Sequence, residues 1–154
     1  MARDDNNMDF MFDGLGPASC QNFADPERPR FYQPPSSVTV IGGGEGRGRR
    51  WADGRANFAS FHTMAPPNKA SCSSGGDGAQ MMSTAGSRHQ GGCHILMGDG
   101  AVKFVTDSIE AGNQTAGFAD ASGSIVRAPG TASPYGLWGS LGTRAMKETI
   151  EEEL

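Results

Sequence analysis

The stretch that most constrains this chain is residues 87–107, SRHQGGCHILMGDGAVKFVTD. Apolar residues alternate on both sides of Asp99-Gly100, a dipeptide typical of two-residue hairpin turns because both central positions need positive φ. We therefore expect a central β-hairpin at about 94–105, with Lys103 on its open face. A two-residue turn would place four apolar side chains on the buried face, namely Ile95, Met97, Val102 and Phe104.

His89 precedes Asp99 by ten positions, and Gly91-Gly92 would let the backbone fold back toward the turn. One interpretation makes the two residues an acid–base pair or metal ligands. The other is structural, with Asp99 accepting backbone N–H groups in its turn and His89 donating to a loop carbonyl or to that carboxylate. We favour the structural interpretation and assign no catalytic residue, because acid–base work needs a third partner and a pocket.

Composition predicts one small domain with much irregular chain. Only 36% of the 154 residues are hydrophobic, and 23 are glycine. A net charge of -4 offers no basic surface for nucleic acid or membrane. No apolar run approaches the roughly 20 residues of a membrane span, and the N-terminus lacks a signal-peptide layout. We expect no nucleic-acid partner and no cofactor.

Cys20 and Cys72 lie in polar loop sequence, whereas Cys93 alternates within the predicted hairpin strand. A Cys20–Cys72 disulfide is the pairing we expect, and closing so long a loop would stabilise the domain by roughly 4 kcal/mol. Such a bond implies an oxidising compartment. Three reduced cysteines in a cytosolic protein remain the alternative. No metal site is expected, because Cys-x-x-Cys spacing is absent.

The pattern of elements predicts an α+β fold with a small antiparallel sheet, few short helices and long glycine-rich loops. We expect a mobile arm over residues 1–16, one globular domain over 17–144, and an acidic tail with helical periodicity over 145–154. Further expected elements are strands at 37–41 and 57–64, one helical turn near 22–25, another after Thr106 capped with the help of Glu110, and a packed irregular segment at 135–144.

The Trp51 to Arg55 loop has two interpretations. An aromatic face and an Arg fork suit a sugar or a carboxylate. Alternatively, Trp51 fills the core while Asp53 and Arg55 brace the turn at Gly54, which we favour because so small a core needs its large side chains. Hydrolase chemistry finds no support in the motifs, since the Gly-x-Ser-x-Gly elbow and His-x-x-x-His spacing are both absent.

Four ordered blocks resemble a known family: GRRWADGR at 48–55, TMAPPNKASC at 63–72, the stretch 87–109, and YGLWGSLGTR at 135–144. They are similar to the C-terminal half of a large bacterial family of prepilin-like proteins, abundant in planctomycetes. That family's signature is His, nine residues, then Asp-Gly, which His89 and Asp99-Gly100 match. The upstream family block is matched by Trp51, Asp53, Gly54 and Arg55. The resemblance covers about residues 45–148.

This resemblance implies a pseudopilin-like globular domain. Its expected role is a non-catalytic extracytoplasmic module, periplasmic, cell-surface or secreted, that binds protein partners or self-assembles into a surface filament, as in type IV pili or type II secretion. Family members begin with a prepilin leader and a long apolar helix, which this chain lacks, so membrane contact is expected only through such a helix. A solute- or glycan-binding domain using the Trp51 to Arg55 loop is the alternative, and a metal-dependent hydrolase a distant third.

Overall fold

The computed structural model describes residues 2–4, 16–22, 24–28, 31–32, 38–40, 47–55, 58–73, 81–117 and 130–143. Its elements in chain order are β1 Ala2–Asp4, α1 Ala18–Gln21, β2 Val38–Val40, β3 Cys72–Ser73, β4 Met81–Met82, β5 Gly92–Leu96, β6 Val102–Thr106 and α2 Gly136–Leu141. A four-stranded sheet has the order β2-β1-β3-β4, and β5 and β6 form a separate two-stranded sheet. The expected α+β class is confirmed.

The four-stranded sheet is built from very short strands. β1 pairs antiparallel with β2 and parallel with β3, and β3 pairs antiparallel with β4. The strand expected over 37–41 is confirmed at Val38–Val40, where β-branched residues favour extended backbone. Residues 2–4, within the expected N-terminal arm, form β1 of this sheet. The remainder of the expected arm up to residue 15, and the expected tail at 145–154, lie outside the described residues.

The expected hairpin is present, but its turn is one residue longer than predicted. Gly100 N–H donates to the Met97 carbonyl at 3.0 Å, and Met97 N–H donates to the Ala101 carbonyl at 2.8 Å. Gly100 has φ of 89°. This is a three-residue loop, a type I turn followed by a left-handed glycine.

The longer turn shifts the strand register and changes which side chains are buried. Leu96 pairs with Val102, and Cys93 pairs with Val105. Because side chains alternate across a strand, a one-residue shift moves a whole strand to its other face. Val105 is therefore buried, whereas Val102 is 63% and Phe104 44% exposed. The predicted burial of Val102 and Phe104 is wrong. Lys103 pairs with half-buried Ile95 and so lies on the same face as Ile95, instead of on the opposite face as predicted.

Among the described residues, buried hydrophobic side chains form two small clusters. One contains Cys20, Ala65, Cys72 and Met82, with Met64 packed against it. The other contains Ala85, Cys93, Val105, Ala111 and Trp138, with Ile95, Ile109 and Leu141 at its edge. Clusters this small match the low apolar content of the chain.

Residues 136–141 form α2, so the prediction of an irregular segment there is wrong. Two glycines, Gly136 and Gly139, give this segment little intrinsic helix propensity. Contacts with Glu110 compensate, because its carboxylate accepts the Leu137 N–H at 2.7 Å and its carbonyl accepts the Trp138 N–H at 2.9 Å. Glu110 therefore serves α2 and not a helix of its own. The helical turn expected after Thr106 is only a hydrogen-bonded turn closed by Ile109.

Two further expectations are corrected. The described residues of the segment 57–64 form turns and loop instead of a strand, although Phe58 is buried in it. The helical turn expected near 22–25 lies earlier, at Ala18–Gln21, because Pro17 starts α1. Within the described ranges, no helix has the length and apolar character needed to cross a membrane.

Candidate functional site

The structure places His89 and Asp99 at opposite ends of the hairpin. His89 precedes β5 and Asp99 follows it, and a five-residue strand spans about 17 Å. Both residues are exposed. The Asp99 carboxylate accepts the Ala101 N–H at 2.9 Å, while the His89 backbone N–H donates to Ser87 Oγ at 3.0 Å. The two side chains therefore cannot act on one reacting atom, and Asp99 braces its own turn.

His89 instead lies near other rings on the exposed side of the hairpin. Its ring centroid is 6.1 Å from that of His94, and the His94 ring meets Phe104 edge-on at 5.1 Å. Among the described residues, no group of three or more His, Cys, Asp or Glu side chains is placed to hold a metal ion.

The outward surface of the two-stranded sheet is largely apolar. We call it the hairpin face, and it consists of His94, Leu96, Val102 and Phe104. Leu96 is 72% exposed, the most of these apolar side chains. Beside the hairpin tip lies a hollow of about 230 Å³ lined by Phe61, Ile95, Leu96, Trp138 and Leu141 among others. Because Leu96 belongs to both, the hairpin face and the hollow are continuous.

The structure agrees with only one of the two roles predicted for the Trp51 to Arg55 loop. Trp51 is 85% exposed, so the expectation that it fills the core is wrong. The bracing role of Asp53 and Arg55 is confirmed by hydrogen bonds from Arg55 Nε and Nη2, the shorter at 2.6 Å. These bonds lower the pKa of Asp53 to about 2. Arg50 and Arg55 also lie over the Phe58 ring, at 4.7 and 5.3 Å from its centroid.

Two shallow cavities are lined by described residues outside the hairpin face. The first, of about 550 Å³, is lined by Arg49, Arg50, Trp51, Ala52, Asp53 and Gly54. The second is larger, about 800 Å³, and its lining includes Phe31, Tyr32, Arg47, Lys69, Ser71 and Arg88. We call the second the cationic hollow. No sequence pattern predicts this cavity, because its residues come from separate segments and share no local motif.

Asn68 organises the floor of the cationic hollow. Its φ is 62°, a left-handed conformation that Asn tolerates better than most residues. The side-chain amide donates to the Asp107 carboxylate at 2.6 Å, and its oxygen accepts the Ser87 N–H at 2.8 Å. The backbone N–H donates to the Ala85 carbonyl. One residue thus ties three segments together.

The predicted Cys20–Cys72 disulfide is present and links α1 to β3, with Cα atoms 5.8 Å apart. Both half-cystines are buried. Cys93 is a buried free thiol in β5. Burial raises its pKa, and the negative charge of Asp107 raises it further.

The fold and these surfaces define a small disulfide-linked α+β domain. The chain belongs to the family described as "Protein of unknown function (DUF1559)", whose model matches residues 4–112. The matched segment includes the Trp51 to Arg55 loop, His89 and Asp99, whereas α2 lies beyond it. No curated protein and no solved structure matches the chain.

Proposed function

We propose that the protein is a non-catalytic, extracytoplasmic assembly module, resembling the globular part of a type IV pilin or a type II secretion pseudopilin. The observation that carries the proposal is the hairpin face, which exposes Leu96, Val102 and Phe104 side by side. Contiguous apolar surface that a monomer leaves uncovered is typical of protein interaction sites. The partner we propose is a further copy of this chain.

The size of the hairpin face sets the strength of this interaction. Three apolar side chains provide much less than the roughly 800 Å² per partner that a standard stable interface buries. A single contact of this kind is therefore weak. Many such contacts in a repeated assembly, or an additional anchor at another surface, are needed for lasting association.

Sedimentation velocity over a concentration series tests the proposal. The wild-type chain should sediment as a monomer at micromolar concentration and associate progressively toward the millimolar range. Val102→Lys should abolish this association, because a charge in the middle of an apolar contact is costly to desolvate. Trp51→Lys is the matched control, since it changes a more exposed aromatic residue elsewhere and should leave association unchanged.

A wild-type chain that remains monomeric throughout the series, or a Val102→Lys variant that associates as before, would refute assembly through this face.

Location is tested separately by blocking free thiols in intact cells with a membrane-permeant reagent. The buried Cys20–Cys72 bond supports an oxidising compartment. We expect the pair to be protected as a disulfide, and recovery of both as reduced thiols would refute the extracytoplasmic assignment.

The exposed Trp51 supports a second candidate, binding of a solute or glycan by the Trp51 to Arg55 loop. Its ring stands in water next to Arg49 and Arg50, which together line the smaller cavity. Aromatic rings beside Arg side chains suit the apolar face and the hydroxyl groups of a sugar. Quenching or a blue shift of Trp51 fluorescence on adding a neutral trisaccharide, measured in a Trp138→Phe background, would support this candidate. An unchanged spectrum would exclude it for that ligand class.

A further inference from the structure

The cationic hollow differs from the rest of the protein in its charge. The chain carries 13 basic and 17 acidic residues, with a net charge of -4. Yet Arg47, Lys69 and Arg88 line this one cavity, and none of the described residues that line it is acidic. A positively charged cavity on a protein of negative net charge attracts anionic ligands that the rest of the surface repels.

Within the described ranges, no acidic side chain forms an ion pair with any of the three cations. In the described part of the chain, the ion pairs are Arg28 with Asp25 and Arg55 with Asp53, both outside the hollow. Arg47, Lys69 and Arg88 appear in neither. Gathering like charges in one cavity is unfavourable unless an anion offsets the repulsion. An anionic ligand would supply that charge.

The floor of the cavity is held by bonds from several other segments. Besides the Asn68 contacts, Thr84 Oγ1 donates to the Lys69 carbonyl at 2.7 Å. The Tyr32 hydroxyl donates to the Ser71 carbonyl at 2.5 Å and accepts the Ser71 N–H at 3.2 Å. The disulfide at Cys72 anchors the next residue. Because the backbone beneath Lys69 is fixed in advance, a ligand would lose little free energy in ordering it.

The shape and the rim indicate what kind of anion fits. About 800 Å³ lies within the range of small-molecule sites and far exceeds a single inorganic ion. Phe31, 59% exposed, adds an apolar ring at the rim, with the Arg28 guanidinium 5.4 Å from its centroid. A ring stacked on Phe31 with acidic groups directed at Arg47, Lys69 and Arg88 would use both features.

We propose that the cationic hollow binds an acidic saccharide, whose sugar ring packs on Phe31 and whose carboxylates or sulfate esters pair with the three cations. This site is separate from the hairpin face and from the Trp51 loop. Assembly and saccharide binding can therefore succeed or fail independently.

Isothermal titration calorimetry with trigalacturonate as the probe tests the proposal, with a sulfated disaccharide as a second arm. The neutral trisaccharide maltotriose and inorganic sulfate serve as reference ligands. We expect trigalacturonate or the sulfated sugar to bind at least tenfold more tightly than both references. Affinity should fall as sodium chloride rises from about 20 to 200 mM, because partly exposed charge pairs are screened. Which acidic arm binds more tightly distinguishes carboxylate from sulfate recognition.

Lys69→Ala and Arg88→Ala should each weaken binding by about tenfold, as loss of a charge-assisted bond predicts. Their matched controls are Lys103→Ala on the hairpin and Arg49→Ala in the smaller cavity, both expected to bind as wild type. Thermal melts verify that each variant is folded. The proposal is overturned if neither acidic sugar binds, if a reference ligand binds equally well, or if folded Lys69→Ala and Arg88→Ala bind unchanged. Loss of binding in Arg49→Ala alone would move the site to the Trp51 loop and equally overturn it.

Discussion

The indole N–H of Trp138 donates a hydrogen bond to the carbonyl of Ala65 at 2.8 Å, and both residues are buried. This bond joins α2 to the loop that precedes Pro66, across 73 positions of sequence. The Phe61 ring lies parallel to the Trp138 ring, with centroids 6.3 Å apart. Trp138 therefore has the central packing role that sequence analysis assigned to Trp51.

Trp138→Phe should destabilise the protein by at least about 1–3 kcal/mol, because it leaves the buried Ala65 carbonyl without its partner. Trp51→Phe is the matched control and should change stability by less than about 0.5 kcal/mol, as exposed substitutions do. Urea unfolding followed by circular dichroism measures both. Equal effects of the two substitutions would contradict the assigned roles.

The disulfide should contribute roughly 4 kcal/mol to the free energy of unfolding, because it closes a loop across 52 positions in the unfolded chain. Urea unfolding with and without reductant should show this difference in the wild type. The double variant Cys20→Ala, Cys72→Ala should be less stable than the oxidised wild type and insensitive to reductant. A wild-type midpoint unaffected by reductant would argue against the bond's contribution.

Gly100→Ala should destabilise the hairpin by about 1–2 kcal/mol, the cost of placing a side chain on left-handed backbone. Gly98→Ala offers a control two residues away. A Cβ at either position meets no atom within 4 Å, but only Gly100 has positive φ. Any difference in their thermal melting therefore reports backbone conformation alone, and equal melting temperatures would refute the three-residue turn.

Stability should fall between pH 7.5 and pH 5 because of His62. Burial lowers the pKa of His62, the positive charge of Arg47 lowers it further, and a backbone hydrogen bond with Ser83 acts in the opposite direction. The folded protein thus binds fewer protons than the unfolded chain, whose His titrates near 6.5, and stability is lost as pH falls through that region. Asp53, with a pKa of about 2, stays ionised over this range.

His62→Asn, which keeps an acceptor near Nδ1, should remove most of this dependence. Urea midpoints at the two pH values provide the measurement. A variant with an undiminished pH dependence would show that another group is responsible.

Cys93 should react slowly with iodoacetamide at pH 8 in the native protein and rapidly in urea. Burial and the Asp107 charge raise its pKa above the ordinary 9.0, and the side chain is only 3% exposed. Because the unfolded thiol ionises first, stability should also decline as pH rises through 9. Labelling measured by mass spectrometry decides the matter, and equal native and denatured rates would contradict a buried thiol.

Local patterns predicted the features that depend on neighbouring residues. Alternation around Asp99 revealed the hairpin, and polar loop contexts revealed the Cys20–Cys72 pair. The hairpin register was not predictable, since Gly98 fits either a two-residue or a three-residue loop. The asymmetry between Trp51 and Trp138 also escaped prediction, because burial depends on which distant segments pack around each ring.

The same limit explains the missed helix and the missed cavity. A glycine-rich segment becomes α2 only where Glu110 accepts its first N–H groups, a contact across 27 positions. The cationic hollow combines residues from before Tyr32 to after Ser87. No periodicity encodes either arrangement, because both are products of tertiary packing.

The three-residue loop makes this hairpin tolerant of a change in loop length. Loop tips are ordinarily where a chain tolerates the loss of a residue best. Removing Gly98 would leave Asp99-Gly100 as a two-residue loop between Met97 and Ala101, which already face each other. Cys93 would still pair with Val105, so a shortened chain would keep the same interior and exterior along the whole of β6.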